Sequence, residues 1–481
     1  MEKRSVRVRF APSPTGFMHV GNVRAAIFNY LFARQNNGKF LVRIEDTDSE
    51  RNSEESVKAI FDDLAWLDIH PDEEPVVQST KFGVHASYLI QLQDRGFVYK
   101  CYCSRERLAQ VKEEQIAAGK PPRYDGTCRE VGNIEGKKAS VWRLRSDIFE
   151  SVTIRTLERG EMTFQMKDYQ DPIVVREDGS FTFLFANAVD DIEMDISHVI
   201  RGQDHLSNTA LQAIIYKALD RPLPTYLHLP LLGTTAGKKL SKRDKGSSLK
   251  DLKDAGFLAA PIIHYLISAG GRTIDGFFVF EDLWKIPLVS RITKASMITY
   301  DMDALAEINR RYLHAITSEY CCFQVNDYDR SRMRQIQRLS HAQFVILCEV
   351  LKREVSNLKE LQALMVRVTY KQNLSEQDYI AHCKGDKELA EKIREVFITS
   401  FENASPKPEE SSYDGIAKIK AWAAQENISL GMVLCALRYF ITGKFKGVAI
   451  GGLAFLLTGQ QILERIQNAF VPGKEEEQAI D

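Results

Sequence analysis

Residues 5 to 67 constrain this chain more than any other stretch, because they spell out a strand, a helix, a strand and a helix in immediate succession. Val6, Val8 and Phe10 alternate with Arg7 and Arg9, the two-residue period of a strand. Pro12-Ser13-Pro14-Thr15-Gly16 then interrupts any regular element. From Val23 to Arg34 the residues Ala26, Ile27, Tyr30, Leu31 and Ala33 recur at helical spacing, and Gly38 is expected to close that helix. Phe40-Leu41-Val42-Arg43-Ile44 is apolar enough for an interior strand, and it runs straight into Glu45-Asp46-Thr47-Asp48. Ser53 stands where a helix N-cap belongs, ahead of Val57, Ile60, Phe61, Leu64 and Leu67 on one face. Parallel strands joined by a right-handed crossover end on the same edge of their sheet. The Pro-Ser-Pro loop and the acidic loop are therefore expected to share one crevice, the place where ligands of open α/β sheets bind.

The remainder of the chain fits around that unit. From about Cys101 to Thr182 short strand-like runs read as an insertion, a further α/β stretch follows, and from about Ala304 onward the period is helical. Asn403 to Ser412, rich in Pro, Ser and Glu, is expected to be a loop inside that helical half. No apolar run approaches the roughly 18 residues of a membrane span, and the N-terminus has no signal-peptide pattern. Eight cysteines in 481 residues do not make a disulfide framework, so a reducing cytoplasm is the expected compartment. With 64 basic against 65 acidic residues, the chain is not a globally basic nucleic-acid binder. Any polyanion must be gripped by local charge.

Two short motifs supply such charge. His19-Val20-Gly21-Asn22 opens a helix, where unpaired N–H groups and a partial positive charge suit a phosphate and Gly21 permits close approach. Alone, it reads as a helix-capping histidine. Gly237-Lys238-Lys239-Leu240-Ser241-Lys242-Arg243 brackets a hydroxyl with lysines able to neutralise a triphosphate during displacement. Alone, that is a solvated basic loop.

Together and in this order the motifs are specific. Phe10 to Gly16 followed by His19-Val20-Gly21-Asn22 resembles the HIGH-type signature of class I aminoacyl-tRNA synthetases, and Lys239 to Arg243 resembles their KMSKS-type loop. Arg43-Ile44-Glu45-Asp46-Thr47-Asp48 is similar to the glutamyl and glutaminyl branch. Val199 to Leu206 and the helical C-terminal half resemble the bacterial glutamyl enzymes. The resemblance implies an α/β, Rossmann-type class I catalytic domain carrying an α/β acceptor-binding insertion, followed by an all-α anticodon-binding half. The implied boundaries are 1–100 for the first catalytic half, 101–185 for the insertion, 186–324 for the second catalytic half with a helical stem-contact domain, and 325–481 for the anticodon-binding domain. It implies a two-step reaction using ATP with Mg2+: glutamyl-adenylate forms, then the tRNA 3′-terminal ribose attacks the activated carbonyl. No side-chain nucleophile is needed, so catalysis is positioning and charge stabilisation.

By the same resemblance His19 and Lys242 are catalytic. They contact ATP with Gly21, Asn22, Asp204, Lys239 and Ser241. L-Glutamate falls to Arg9, Ser13, Glu45, Phe183, Asn187 and Arg201, a set in which arginines fork onto carboxylate and Glu45 answers the ammonium. Two positions depart from the family: Phe183 replaces its usual tyrosine, and Gln203 its usual glutamate. Cys101-Tyr102-Cys103 and Cys128 resemble the zinc site of some relatives, whose histidine is here Glu130, while Tyr124 matches a tyrosine ligand of shortened relatives. One structural Zn2+ held by three thiolates plus Glu130 or Tyr124 is admissible, as are three reduced cysteines of a decayed site.

The expected partner is tRNA-Glu, with tRNA-Gln left open, and the expected state is a monomer without membrane association. Arg330, Arg334 and Arg338 recur every four residues as a candidate phosphate-contacting stripe or a solvated face. Leu437 to Gly443 is closer to the family's anticodon-binding helices. The alternatives are a glutamyl-queuosine tRNA-modifying synthetase, which lacks the helical half, and an inactive RNA-binding paralogue. A glutaminyl enzyme would carry β-barrels in place of that half.

Overall fold

The structure, a computed structural model, describes residues 5–47, 52–134, 139–241, 244, 246–270, 285–292, 295–333, 339–370, 372–402 and 408–470. It divides into two compact units, residues 1–252 with 262–302, and residues 253–261 with 303–481.

In the first unit β1 (Arg7–Phe10), α1 (Val20–Gln35), β2 (Lys39–Ile44), α2 (Glu54–Trp66), β3 (Val76–Val77) and α3 (Phe82–Asp94) form the opening. β2 pairs in parallel with β1 on one side and β3 on the other. Ser53 caps α2 by accepting from Ser56 N at 3.1 Å. Gly38 closes α1 as expected, its N donating to Ala33 O at 2.8 Å, and its lack of a side chain has a second reason. The left-handed residue is Asn37, at φ 50°, and Gly38 is needed because a Cβ there would stand 2.6 Å from Val6 Cβ.

The insertion comprises β4 (Val98–Cys101), α4 (Arg105–Ala117), β5 (Val141–Leu144), β6 (Ser151–Thr156), β7 (Gly160–Gln165) and β8 (Ile173–Val175), with β4-β5-β8 forming their own antiparallel sheet. α5 (Phe183–Glu193), β9 (His198–Gly202), α6 (Leu206–Ala218) and β10 (Thr225–Leu229) complete the central layer. Its second sheet runs β7-β6-β10-β9. Ser197 joins the two sheets: Arg7 N donates to Ser197 Oγ at 2.8 Å and Ser197 N donates to Arg7 O at 3.0 Å. From β1 the chain moves outward through α1 to β2; from β9 it moves the opposite way through α6 to β10. The C-terminal ends of β1 and β9 thus flank a topological switch point. β11 (Leu231–Gly233) pairs with β12 (Met297–Thr299), and α7 (Leu249–Asp254) and α8 (Ala259–Ser268) lie between them in sequence.

The second unit is helical: α9 (Met302–Ala315), α10 (Ser318–Tyr328), α11 (Arg330–Met333), α12 (His341–Leu351), α13 (Leu358–Thr369), α14 (Glu376–His382), α15 (Lys387–Phe401), α16 (Pro408–Gln425), α17 (Leu430–Thr442), α18 (Ile450–Leu456) and α19 (Gly459–Gln467). Leu347, Leu361, Phe397, Phe401, Leu437, Phe440 and Ile466 belong to one continuous core there. Buried Arg465 closes two helix ends, donating to Ile441 O at 2.6 Å in the last turn of α17 and to Val368 O at 2.5 Å in that of α13. The loop expected over 403–412 is corrected in part: α16 already begins at Pro408. Proline is tolerated in a first helical turn, where its missing N–H costs nothing. Residues 403–407 lie outside the described residues. No helix among the described residues is long and apolar enough to cross a membrane.

Candidate active site

The crevice of the first unit is built on a buried group of charges. Arg43 points inward from β2 and is fully buried. Its Nη1 donates to Asp191 Oδ1 at 2.6 Å, and its Nη2 and Nε donate to Glu45 Oε1 at 2.9 and 3.3 Å. Arg9, one strand over, donates through Nε to the same Asp191 oxygen at 3.0 Å. Asp190 accepts from Gln78 Nε2 at 2.6 Å and lies 2.7 Å from His85 Nε2. Burial pushes the Asp191 carboxyl up, but Arg9 and Arg43 outweigh it and hold the group below the ordinary carboxylate range.

Glu45 is shaped for a ligand by what it does not bind. Arg43 and Asn187 Nδ2, the latter at 2.7 Å, all converge on Oε1, and Oε2 receives no protein hydrogen bond among the described residues. Glu45 N donates to Pro12 O at 2.9 Å, which brings the acidic loop against the Pro-Ser-Pro loop carrying exposed Ser13. The shared crevice expected from the strand pattern is therefore present.

Arg201, near the end of β9, is buried and its guanidinium is only half engaged. Nη2 donates to Thr209 Oγ1 at 2.8 Å and Gln212 Oε1 at 2.7 Å. Nε and Nη1 have no hydrogen-bond partner among the described residues. Burial, then repulsion from Arg9, pulls its pKa down to about 10, so the group stays cationic at neutral pH. A buried cation with two orphan donors is costly by itself and is relieved by an anion. His205 follows on the next turn; burial and the Arg201 cation depress its pKa to about 4, leaving a neutral ring beside Phe183 at 5.4 Å between centroids.

The two phosphate-type motifs are drawn together by backbone. Val20 N donates to Ser247 O at 2.8 Å and Leu249 N to Met18 O at 2.9 Å, which stitches the His19 turn to the chain just beyond the basic loop. His19 is the N-cap of α1, its Nδ1 accepting from Gly21 N at 3.1 Å. The Gly21 amide is thus spent on the cap, and the ring proton belongs on Nε2. Asn22 is exposed on the same turn, its N donating to His19 O at 2.8 Å. Lys239 reaches Asp204 with Nζ–Oδ2 of 2.9 Å, and Ser241 turns its N and Oγ onto Asp244 at 2.7 and 2.8 Å. Burial raises the Asp204 carboxyl, yet the Lys239 bond wins and lowers it. Lys242 and Arg243 lie outside the described residues.

The cysteine group sits apart, in the insertion. The sulfurs of Cys101, Cys103 and Cys128 all lie within 4.8 Å of one another. The Tyr124 hydroxyl is 3.5 Å from Cys101 Sγ and accepts from Cys128 N at 3.0 Å. Glu130 is turned elsewhere: its carboxylate is mostly exposed and pairs with Arg145 at 3.2 Å.

In the second unit Arg330 is exposed and paired with Asp327 at 2.9 Å, while Arg334 and Arg338 lie outside the described residues. Arg438 spends its donors on the carbonyls of Val448 at 2.6 Å and Phe445 at 2.7 Å. Sequence reasoning missed Arg43, Asp190, Asp191, Thr209 and Gln212. An arginine inside an otherwise apolar strand, and Asp190-Asp191 on the apolar run of α5, were the available signals.

A doubly wound sheet with a ligand crevice at its switch point, a basic loop stitched to a capped helix, and a helical second unit define the class of protein. Residues 5–309 match the family of tRNA synthetases class I (E and Q), catalytic domain, and residues 304–470 match an anticodon binding domain. The chain belongs to the class I (E and Q) tRNA synthetases, and is an aminoacyl-tRNA ligase. Its fold is that of a glutamate tRNA ligase from Elizabethkingia meningosepticum, solved with its amino acid (TM-score 0.82, 24% identity, covering 97% of this chain and 99% of that one). It is equally that of a glutamate-tRNA synthetase from Elizabethkingia anophelis (TM-score 0.79, 24% identity, 97% and 100% covered).

Proposed function

We propose that this chain ligates L-glutamate to tRNA, forming glutamyl-adenylate from ATP and then passing the glutamyl group to the 3′-terminal ribose. The observation that carries the reading is Arg201, buried with Nε and Nη1 unpartnered among the described residues, in the crevice where Glu45 Oε2 is likewise unbound. A fork of two donors on a cation answers a carboxylate; a carboxylate oxygen answers an ammonium. Glutamate carries both in one short molecule. We assign Arg9, Asn187, Ser13 and Phe183 to the same substrate, Phe183 without the hydroxyl of a tyrosine.

His19, with its ring proton on Nε2, serves as a donor to ATP phosphate at the N-terminus of α1. Lys239, Ser241 and Lys242 of the basic loop complete the phosphate grip, and Gly21, Asn22 and Asp204 are assigned to holding the rest of ATP. Mg2+ accompanies ATP as part of the substrate and neutralises phosphate charge. The chain's own contribution is to hold the glutamate α-carboxylate in line with the α-phosphate and to stabilise charge as pyrophosphate departs. The insertion and the helical unit are assigned to the acceptor stem and anticodon of tRNA. We assign a structural Zn2+ to Cys101, Cys103, Cys128 and Tyr124, whose donor set suits a tetrahedral site. When bound, the ion cross-links β4 to the turn at Cys128; it takes no part in the ligation.

Charging of purified tRNA-Glu and tRNA-Gln with labelled glutamate, side by side and with glutamine as control, tests the reading. Glutamate is expected on tRNA-Glu. Absence of charging on either tRNA, or equal use of glutamine, would overturn it, and the ratio between the two tRNAs decides the range.

A further inference from the structure

Arg201 does not reach its open state by itself. Its Nη2 is held by two side chains, Gln212 and Thr209, both buried on α6. Gln212 Oε1 accepts from Arg201 at 2.7 Å, and Gln212 Nε2 donates to Asn187 Oδ1 at 2.9 Å. Asn187 Nδ2 donates in turn to Glu45 Oε1 at 2.7 Å. The relay begins at a group that can only donate and ends at one that only accepts, so each intervening amide has a single permitted orientation. Thr209 is fixed by similar accounting. Its hydroxyl is directed at His205 O at 3.1 Å, its oxygen accepts from Arg201 at 2.8 Å, and the His228 ring lies against the same oxygen with Nε2 at 3.0 Å.

We propose that Gln212 and Thr209 are positioning residues that set substrate selectivity. They immobilise the Arg201 fork and, through Asn187, fix its spacing from Glu45. This rests on the reading that Arg201 takes the side-chain carboxylate of glutamate. A rigid cation at one end and a rigid anion at the other measure the length of the amino acid between them, which separates glutamate from aspartate. Arg201 offers only donors, and with Nη2 held the fork cannot swing aside, so its Nε and Nη1 must meet two acceptors at once. The amide nitrogen of glutamine, itself a donor, then has no acceptor there, which separates carboxylate from amide.

The test is tRNA-dependent ATP–pyrophosphate exchange with Gln212→Met, Thr209→Val and Thr209→Ser, each checked for an unchanged melting transition. Gln212→Met and Thr209→Val are expected to raise KM for glutamate about tenfold to hundredfold, with KM for ATP held within about twofold. Preference for glutamate over aspartate and glutamine, as the ratio of kcat/KM, is expected to fall about tenfold. Thr209→Ser, which keeps the hydroxyl, is expected to restore both. Should Gln212→Met fail to fold, the isosteric Thr209→Val carries the test. Unchanged KM for glutamate and unchanged preference, or an equal rise in KM for ATP, overturns the proposal. Arg201→Met separates the two ideas. If it leaves KM for glutamate intact, the reading of Arg201 fails; if it alone raises KM, only the relay fails.

Discussion

Arg43 and Asp191, 148 residues apart, meet as a fully buried ion pair with Nη1–Oδ1 at 2.6 Å. The same carboxylate oxygen also receives Arg9. Three arginines (Arg9, Arg43, Arg201) and three carboxylates (Glu45, Asp190, Asp191) lie within this buried network, so its charges balance. Such a network is stable only when complete, because each member removed strands an opposite charge away from water.

Asp191→Asn should therefore destabilise the first unit by ~3–5 kcal/mol in urea unfolding, since Arg9 and Arg43 would share a neutral amide. A loss below about 1 kcal/mol would mean that water enters to replace the carboxylate.

Glu73 sets a pH dependence on the outer edge of the same sheet. Its carboxylate takes Arg7 Nη1 and Nη2 at 2.7 and 3.0 Å and Lys39 Nζ at 2.7 Å. The Arg7 bond first, then the Lys39 bond, lower its pKa to about 2 against burial. A carboxyl depressed in the folded state adds stability that is present above the ordinary carboxylate range and is lost as pH falls toward 2. Glu73→Gln should flatten the acid limb of the stability curve between about pH 5 and 2 while leaving pH 7 to 8 parallel to wild type; an unaltered acid limb refutes the assignment.

Zinc gives a composition test. Protein purified without chelator should hold about one zinc per chain by elemental analysis. Tyr124→Phe should speed its loss to a chelator, whereas Glu130→Gln should not, because Glu130 is occupied with Arg145. Metal-free wild type would eliminate the site, and faster loss from Glu130→Gln would exchange the fourth ligand.

Gly38→Ala should cost ~1–3 kcal/mol by thermal unfolding, since the added methyl would overlap Val6, just ahead of β1. Asn37→Gly, which relieves the φ of 50°, should be neutral or mildly stabilising. A neutral Gly38→Ala would show that β1 shifts to make room.

The motifs and the opening βαβα unit were legible because they are local. Strand alternation, the Ser53 cap and the helical periods depend on residues a few positions apart, and the glycine-led basic loop announces its own charge. The closing role of Gly38 was legible, but the need for a bare Cα there was not, because it comes from Val6, far away in sequence and just ahead of β1. The start of α16 was missed because Pro and Glu in a first helical turn look like a loop by composition alone.

What the sequence by itself determined is the sheet order's beginning, the family resemblance and the chemistry available at each matched position. Only the tertiary structure decided which of those groups are spent and which are open. Gly21 N is consumed by His19, Glu45 Oε1 by Arg43 and Asn187, and Arg201 Nη2 by Thr209 and Gln212, whereas Arg201 Nε and Nη1 keep no partner among the described residues. The reason is physical: a hydrogen-bonding group is satisfied or left open by neighbours in space, and burial fixes the cost of leaving it open. Neither can be read along a chain.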